Sequence, residues 1–175
     1  MIIDNISLRR LQPKDCTEEY LSWVTDESNR RFITTLKTIN TISDLKNSTI
    51  PRLSNPLISI VGIFYNQKHI GNIQARTIST NECVISILIG AKELRGKGIA
   101  KHAINQFLNT SAFLPICSQL ITFYAVIDEK NTASQNLFLS TGFKQQNFST
   151  WPEQIEKDKN NTLLFSMRKQ YNDLG

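Results

Sequence analysis

Three apolar, β-rich runs lie in close succession between residues 57 and 90, and they constrain the fold more than any other feature. They read "LISIVGIFY" (57–65), "HIGNIQARTI" (69–78) and "ECVISILIG" (82–90). The connections between them, "NQK" and "STN", are short and polar. Strands joined by so few residues pair antiparallel with their neighbours in sequence. The sequence therefore predicts an antiparallel meander in the middle of the chain.

The elements predicted on either side of the meander complete a mixed sheet. Before it come a strand at 5–12, helices at 13–26 and 27–36, and a polar, Pro-containing stretch at 38–56 that is predicted mainly as loop. After it come a helix from 98 to about 113, a strand at 119–127, a helix at 131–143 and a strand at 161–169. The uncharged run 119–127 is typical of a strand buried on both faces. The predicted class is α/β: a mostly antiparallel meander followed by β-α-β-α-β, with helices on both faces of one mixed sheet.

Length and composition indicate one globular domain that spans residues 1–175. The chain is 40% hydrophobic and 20% charged, and it contains no internal repeat and no long linker. It has no apolar run long enough to span a bilayer, and "MIIDNISLRR" does not resemble a secretion signal. The three cysteines, Cys16, Cys83 and Cys117, have no metal-ligand spacing, and their odd number argues against a disulfide framework. We therefore expect a cytoplasmic protein without a metal site and without a membrane partner.

The positive charge of the chain is concentrated in one place. The formal net charge is +5, and the segment "KELRGKGIAK" (92–101) holds four cations and one anion. A nucleic-acid-binding surface would spread Lys and Arg along an exposed face. A charge focused on a single turn favours a small polyanion, and no nucleic-acid partner is expected.

The turn "ELRGKGIA" (93–100) is predicted to connect a strand to a helix, which makes it an anion site. The first N–H groups of a helix lack internal partners and lie at the positive end of its dipole. Gly96 and Gly98 would allow a phosphate to approach the backbone closely. Arg95, Lys97 and Lys101 add positive charge.

Three phosphate-binding motifs were compared with this turn. The chain has no G-x-x-x-x-G-K-[ST] motif, which excludes a P-loop. The run "GKGIAK" has two glycines of a dinucleotide fingerprint but lacks the third. An acetyl-CoA loop of the form R-x-x-G-x-A fits, with Arg95, Gly98 and Ala100 at the fixed places.

The chain resembles the GNAT superfamily of acyl-CoA N-acyltransferases in four features that occur in the family's order. They are the meander that ends in "ISILIG", the "RGKGIA" turn, the strand 119–127 and the segment "NTASQNLFLSTGF". The last segment is similar to the family pattern N-x-x-[AS]-x-x-L-[YF]-x-x-x-G-F, through Asn131, Ser134, Leu137, Phe138, Gly142 and Phe143. The opening "LRRLQPKDCTEEYLSWVTDE" resembles the RimJ/RimL-type branch of the superfamily.

The resemblance implies that acetyl-CoA is the co-substrate. Its pyrophosphate would lie on the 95–101 turn, and its pantetheine arm would pair with the backbone at the end of the meander. A backbone N–H at Leu88 would also stabilise the oxyanion that develops on the thioester. The residues assigned to cofactor binding by the resemblance are Leu88, Ile89, Gly90, Arg95, Gly96, Lys97, Gly98, Ile99, Ala100, Lys101, Asn131, Ser134 and Phe138. Asn131 is also a good helix N-cap, and Phe138 also fits a hydrophobic core.

The acid and the base of the reaction are less well specified. Many members of the family carry Tyr at the position of Phe138, where it protonates the departing thiolate; Phe cannot do so. Tyr124 is a possible substitute, and it is also a typical buried strand residue. Glu82 is the first candidate for the base, followed by Asp26 and Glu27, each of which is otherwise a surface carboxylate. His69 is interpreted as a hairpin residue, and a chain of waters would need none of these groups.

The resulting hypothesis is an N-acetyltransferase that transfers an acetyl group directly to a primary amine in a ternary complex. The acceptor is a small metabolite, for which a nucleotide-linked amino sugar and a polyamine are candidates, or a protein N-terminus. The polyamine is disfavoured because residues 27–56 offer only the carboxylates of Glu27 and Asp44. Arg30 and Arg31 would suit a phosphorylated acceptor, or they are solvent-facing helix residues. The alternative from another class is a non-catalytic CoA-binding module. The oligomeric state is expected to be a monomer or a homodimer.

Overall fold

A computed structural model describes residues 5–115, 120–155 and 161–171, which form a seven-stranded sheet with helices on both faces. The order of the strands across the sheet is β1-β2-β3-β4-β5-β7-β6. The strands are β1 (Ile6–Arg10), β2 (Ile58–Tyr65), β3 (Lys68–Ser79), β4 (Glu82–Ile89), β5 (Leu120–Asp128), β6 (Lys144–Gln145) and β7 (Thr162–Gln170). The helices are α1 (Glu18–Thr25), α2 (Glu27–Arg30), α3 (Ile42–Leu53), α4 (Ile99–Leu108) and α5 (Thr132–Ser140).

The predicted meander is confirmed, since β2, β3 and β4 pair antiparallel in sequence order. The one parallel pair among the described strands is β4 with β5. These two strands pair only where Glu82–Val84 meets Thr122–Tyr124, and beyond that point they part. From Ile85 onward, β4 therefore has one edge that no strand of the described residues covers. We call this edge, from Ile85 to Ile89, the open edge.

The two faces of the sheet carry different helices. Helices α4 and α5 cover one face, where the largest cluster of buried side chains includes Ile104, Phe107 and Phe123. Helices α1 and α3 pack on the other face around Trp23 and Leu45. We refer to these as the α4 face and the α3 face. The arrangement confirms the predicted class.

The stretch 38–56, predicted mainly as loop, contains the helix α3. Thr41 and Asp44 form a reciprocal capping box, in which the Thr41 side chain accepts from the Asp44 N–H and the Asp44 side chain accepts from the Thr41 N–H. Leu45 and Thr49 are buried one turn apart. Pro51 lies in the last turn of the helix. The prediction was wrong because the polar composition concealed a narrow apolar stripe.

Other boundaries also differ from the prediction. Pro13 begins a short 3-10 turn, and α1 starts later, at Glu18, with Thr17 as its N-cap. Helix α4 ends at Leu108 rather than near 113, and the two-residue strand β6 was not foreseen. Strand β5 is buried on the α4 face only, since Val126 on the other face is 37% exposed. The exposure arises because none of the described helices covers the α3 face at that point.

Candidate active site

The predicted glycine turn is the N-terminus of α4. Gly96 and Gly98 have φ values of +72° and +78°, and a Cβ at either position would have no described atom within 4 Å. Gly98 is the N-cap, and the first helical bond runs from the His102 N–H to the Gly98 carbonyl at 3.0 Å. Within the described parts of the chain, the N–H groups from Gly96 to Lys101 have no acceptor. The turn therefore offers a row of free N–H groups in open space.

The basic side chains around this turn divide into two groups. Lys97 and Lys101 are exposed beside the free N–H groups. Lys92 instead forms an ion pair with Asp26, whose Oδ2 lies 2.5 Å from the Lys92 Nζ. Ile99 is buried and anchors the first turn of α4 in the core. Two of the predicted cations are thus left to meet an anionic ligand.

Arg95 has a role that the sequence did not predict. Its Nε donates to the Ile89 carbonyl at 2.9 Å, and one terminal nitrogen donates to Asn29 Oδ1 at 3.2 Å. The same nitrogen lies 3.4 Å from the Gly90 carbonyl. Arg95 therefore ties the turn to the end of β4 and to α2. No motif could have shown this, because it depends on where β4 ends relative to α2.

Trp23 also fixes the end of β4. A Cβ at Gly90 would lie 1.9 Å from Cδ2 of the Trp23 indole, so only glycine allows this contact. The Trp23 carbonyl accepts from the buried Asn29 side chain at 2.7 Å. Trp23, Asn29 and Arg95 thus form a continuous link from α1 through α2 to the turn.

The backbone groups of Leu88, Ile89 and Gly90 do not all point in the same direction. The Leu88 carbonyl is directed toward β3, since it lies 2.3 Å from the position that a Cβ on Gly71 would occupy. The Gly90 N–H also points to β3, where it donates to the Ile70 carbonyl at 2.8 Å. Because strand groups alternate in direction, Ile87 and Ile89 face the open edge instead. The geometry does not favour Leu88 for a contact with a ligand on the open edge.

The residues predicted on the helix at 131–143, which is α5, occupy the start and the buried face of that helix. Asn131 is the N-cap of α5, and its Oδ1 accepts from the Ser134 N–H at 3.2 Å. Phe138 is 2% exposed and meets Phe143 edge-on, with ring centroids 5.0 Å apart. Both structural interpretations, the cap and the core residue, are confirmed.

Glu82 and Tyr124 are brought together where β4 and β5 are still paired. The Tyr124 hydroxyl donates to Glu82 Oε1 at 2.8 Å, and the Ser79 hydroxyl donates to Oε2 at 2.8 Å. Burial, together with the neighbouring carboxylate, raises the pKa of Tyr124 to about 12. The Tyr124 proton is therefore held on the phenol and directed at Glu82.

Asp26, a further candidate for the base, and His69, interpreted as a hairpin residue, have different surroundings. The hydrogen bond from Lys92 and those from Ser28 hold the pKa of Asp26 well below its usual range, which makes it a poor proton acceptor. His69 lies inside a cluster of aromatic rings, with Trp23 at 5.0 Å and Phe64 at 5.1 Å between centroids. Burial lowers the pKa of His69.

Arg30 and Arg31 line an open cavity of about 460 Å³ together with Glu27 and Lys37. The Arg30 side chain donates to the carbonyls of Val24 and Ile39. Arg31 lies over the ring of Phe32, with its guanidinium carbon 4.4 Å from the centroid. Arg30 thus holds the chain around α2 in place, and its guanidinium is largely occupied by these carbonyls.

Two further observations concern the described residues as a set. They contain no group of three or more His, Cys, Asp or Glu side chains arranged to hold a metal ion. None of the helices they form is both long and apolar enough to cross a membrane.

In a comparison with protein families, residues 5–144 match a family model described as "Acetyltransferase (GNAT) domain". A search of curated proteins finds no significant sequence match.

Solved structures with the same fold include three acetyltransferases. The microcin C7 self-immunity acetyltransferase MccE, in complex with acetyl-CoA and AMP, has a TM-score of 0.72 at 19% identity over 94% of this chain and 92% of that one. The spermidine N-acetyltransferase from Vibrio cholerae, with CoA and spermine, has a TM-score of 0.71 at 17% identity over 95% and 96%. RimL, the ribosomal L7/L12 alpha-N-protein acetyltransferase with CoA, has a TM-score of 0.72 at 9% identity over 95% and 96%.

Proposed function

Because the chain belongs to the GNAT family of acetyl-CoA-dependent N-acetyltransferases, we propose that it transfers the acetyl group to a primary amine of a small metabolite. The whole chain, residues 1–175, acts as one catalytic domain in the cytoplasm. The observation that supports a small anionic co-substrate most directly is the row of free N–H groups from Gly96 to Lys101. These groups, with Lys97 and Lys101 beside them, suit the pyrophosphate of acetyl-CoA.

The open edge is the place for the pantetheine arm. Its amide groups would pair there as a neighbouring strand does, with Ile87 and the N–H of Ile89 as partners. The Ile89 carbonyl is already bonded to Arg95. We therefore assign the backbone contact with the developing oxyanion to Ile87 or Ile89 in place of Leu88.

The chemistry is direct attack of a neutral amine on the thioester carbonyl, and acetyl-CoA supplies the activated acyl group. The protein's own contribution is to hold the amine and the thioester together and to donate a backbone hydrogen bond. The Glu82 carboxylate, on the α3 face near the start of the open edge, is the candidate base. Phe138 has no proton to give, so we propose that the thiolate leaves without help from that position; a thiol pKa near ~8.5 allows this.

The acceptor is the finer part of the proposal. MccE, whose structure contains AMP, supports a nucleotide-linked amine, of which an amino sugar nucleotide is one form. RimL supports the alternative, a protein N-terminus. The RimJ/RimL-type opening of the chain is compatible with both. A non-catalytic CoA-binding module is the remaining alternative, and its only support is the phenylalanine at position 138.

The test is the release of CoA thiol from acetyl-CoA in the presence of a panel of amines, with the wild-type protein and with Gly98→Trp. We expect amine-dependent release by the wild type and loss of acetyl-CoA binding in Gly98→Trp. Gly142→Trp is the matched control, since Gly142 also has a positive φ, of +93°, but lies outside the turn. Acetyl-CoA binding without turnover across a broad panel would favour the non-catalytic module. Unchanged acetyl-CoA affinity in a folded Gly98→Trp protein would refute the placement of the pyrophosphate.

A further inference from the structure

Arg52 reaches from α3 to the sheet, where its side chain bonds to an amide. It is partly buried, and one of its terminal nitrogens donates to the side chain of Gln74 on β3. Within the described parts of the chain, no carboxylate forms an ion pair with it. Burial lowers the pKa of Arg52, and the nearby charge of Arg76 lowers it further. Two like charges thus lie together, one partly buried and the other exposed.

Both arginines belong to the α3 face of the sheet. Ala75 between Gln74 and Arg76 is buried in the cluster on the α4 face, so its two neighbours point to the opposite side. Gln74 is opposite Ser86 of β4, and Arg76 is opposite Val84. The arginine pair is therefore one strand away from the open edge of β4.

Beside this pair, the described residues leave the α3 face uncovered. Ser86 on β4 and Val126 on β5 are exposed, while Trp151 and Ile155 pack further along against Val84 and Tyr124. Helices α4 and α5 cover the other face, where the glycine turn lies. An amine that approaches the opening between β4 and β5 from the side without those helices must pass over Ser86 and beside the arginines.

Among the described strand residues on this side of the sheet, the arginines outnumber the carboxylates. Arg168 of β7 faces the same side, next to Thr122 of β5. The carboxylate of Glu82 is already hydrogen-bonded by Tyr124 and Ser79. A positively charged acceptor such as a polyamine would be repelled by such a surface, whereas an anion would relieve the repulsion between the arginines.

We propose that Arg52 and Arg76 bind an acidic group of the acceptor, a phosphate or a carboxylate, while the acceptor's amine reaches the opening between β4 and β5. This inference rests on the proposed function and names the class of acceptor. Guanidinium groups bind both anions through paired, charge-assisted hydrogen bonds. Adjacent strands lie ~5 Å apart, so the acidic group and the amine would be separated by roughly 5–10 Å. A compact amino sugar phosphate meets that distance, as does an amino acid whose amine lies several carbons from its carboxylate, such as 4-aminobutyrate.

The test uses pairs of amines that differ only in the acidic group: ethanolamine and O-phosphoethanolamine, glucosamine and glucosamine 6-phosphate, butylamine and 4-aminobutyrate. Binding is measured by calorimetry on protein saturated with CoA, so that the glycine turn is occupied. Acetyl transfer is measured separately with acetyl-CoA. In at least one pair we expect the acidic member to bind at least tenfold more tightly. The phosphate pairs and the carboxylate pair show which anion is preferred.

The variants Arg52→Gln and Arg76→Gln should each reduce that preference by tenfold or more, and Arg52→Lys should retain part of it. Lys46→Gln is the control, since it removes the same charge from an exposed position on α3. If Arg52→Gln does not fold, the Arg76→Gln variant still tests the proposal, because Arg76 is exposed. Equal binding of both members in every pair, a preference that survives both Gln variants, or no binding of any acidic member would overturn the proposal.

The two proposals can fail separately. Acetyl transfer to neutral and acidic amines at equal rates would support the acetyltransferase and refute the anion site. Arginine-dependent binding of the acidic members without any acetyl transfer would support the anion site and count against the acetyltransferase. Faster transfer to spermidine than to any acidic amine would likewise refute the anion site.

Discussion

The burial of the Phe138 side chain could be predicted from the sequence alone. The apolar stripe of its helix predicted that the side chain faces the sheet, and it is 2% exposed. Asn131 was equally predictable, because an N-cap is a local interaction between neighbouring residues. The partners of Arg95 were not predictable, since Ile89 and Asn29 come from elements that only the tertiary fold brings together.

Phe138→Tyr should lower the free energy of unfolding by ~1–3 kcal/mol and leave kcat unchanged. The new hydroxyl would be buried near the ring of Phe143 without a designed partner. Urea unfolding and steady-state kinetics measure the two effects. Phe113→Tyr is the control, because Phe113 is only partly buried and its hydroxyl can reach water. A several-fold rise in kcat at unchanged stability would show instead that Phe138 lies beside the thioester and that thiolate protonation limits the rate.

Tyr124→Phe should reduce kcat by less than tenfold. The hydroxyl is committed to Glu82, and a pKa raised to about 12 makes it a poor match for a thiolate near ~8.5. A positioned general acid is typically worth ~10²–10⁴-fold. A loss of that size at unchanged KM, in a variant that unfolds at the same urea concentration as the wild type, would identify Tyr124 as the acid.

At the scale of elements, two contacts attach α2 and its N-cap, Asp26, to the segment that leads into the glycine turn. Lys92 pairs with Asp26, and Arg95 donates to Asn29. The sequence predicted both the turn and a short helix after residue 26, but gave no indication that they touch. It also missed α3, whose capping box and two buried residues are weak signals in a polar segment. Elements with long periodic patterns, such as α4, were easier to predict.

Asn29→Ala should weaken acetyl-CoA binding although Asn29 is not expected to touch the ligand. The substitution removes the donor to the Trp23 carbonyl and leaves one nitrogen of Arg95 with only its longer contact to the Gly90 carbonyl, which loosens the turn. We expect a three- to tenfold higher Kd and a loss of ~1–3 kcal/mol in the free energy of unfolding. Calorimetry and urea unfolding measure these. Asn47→Ala, at an exposed position on α3, should change neither; an unaltered Kd in Asn29→Ala would mean that the turn is held by other contacts.

For the whole molecule, the meander and the alternation of later strands and helices were enough to predict the sheet and its class. The predicted full burial of β5 failed because burial on the α3 face depends on where the helices stop, not on the strand's own composition. The core also buries two tyrosines, Tyr20 and Tyr171. Burial raises the pKa of Tyr20 to about 12 and that of Tyr171 above its usual range. These groups make stability depend on pH.

Stability should fall as the pH rises from about 10 to 12. Unfolded tyrosines ionise near pH ~10, while the buried ones keep their protons, so the folded state binds more protons across that window and unfolding is favoured as the pH rises. Each such tyrosine contributes a slope of at most ~1.4 kcal/mol per pH unit. Tyr20→Phe should make the decline shallower, as measured by urea unfolding at pH 9, 10 and 11. A decline as steep as that of the wild type would mean that Tyr20 ionises freely in the folded protein.

The parting of β4 and β5 gives the protein two half-sheets joined by three residue pairs. A ligand whose amide groups hydrogen-bond to the open edge of β4 would fill the gap as an additional strand and connect the two half-sheets. The co-substrate is then also a structural part, and at 100 times its Kd it adds ~2.7 kcal/mol to stability. Amide hydrogens at Ile87 and Ile89 should exchange with solvent quickly in the free protein and slowly in the complex. Release of CoA would then require the protein to break hydrogen bonds that stabilise its own sheet.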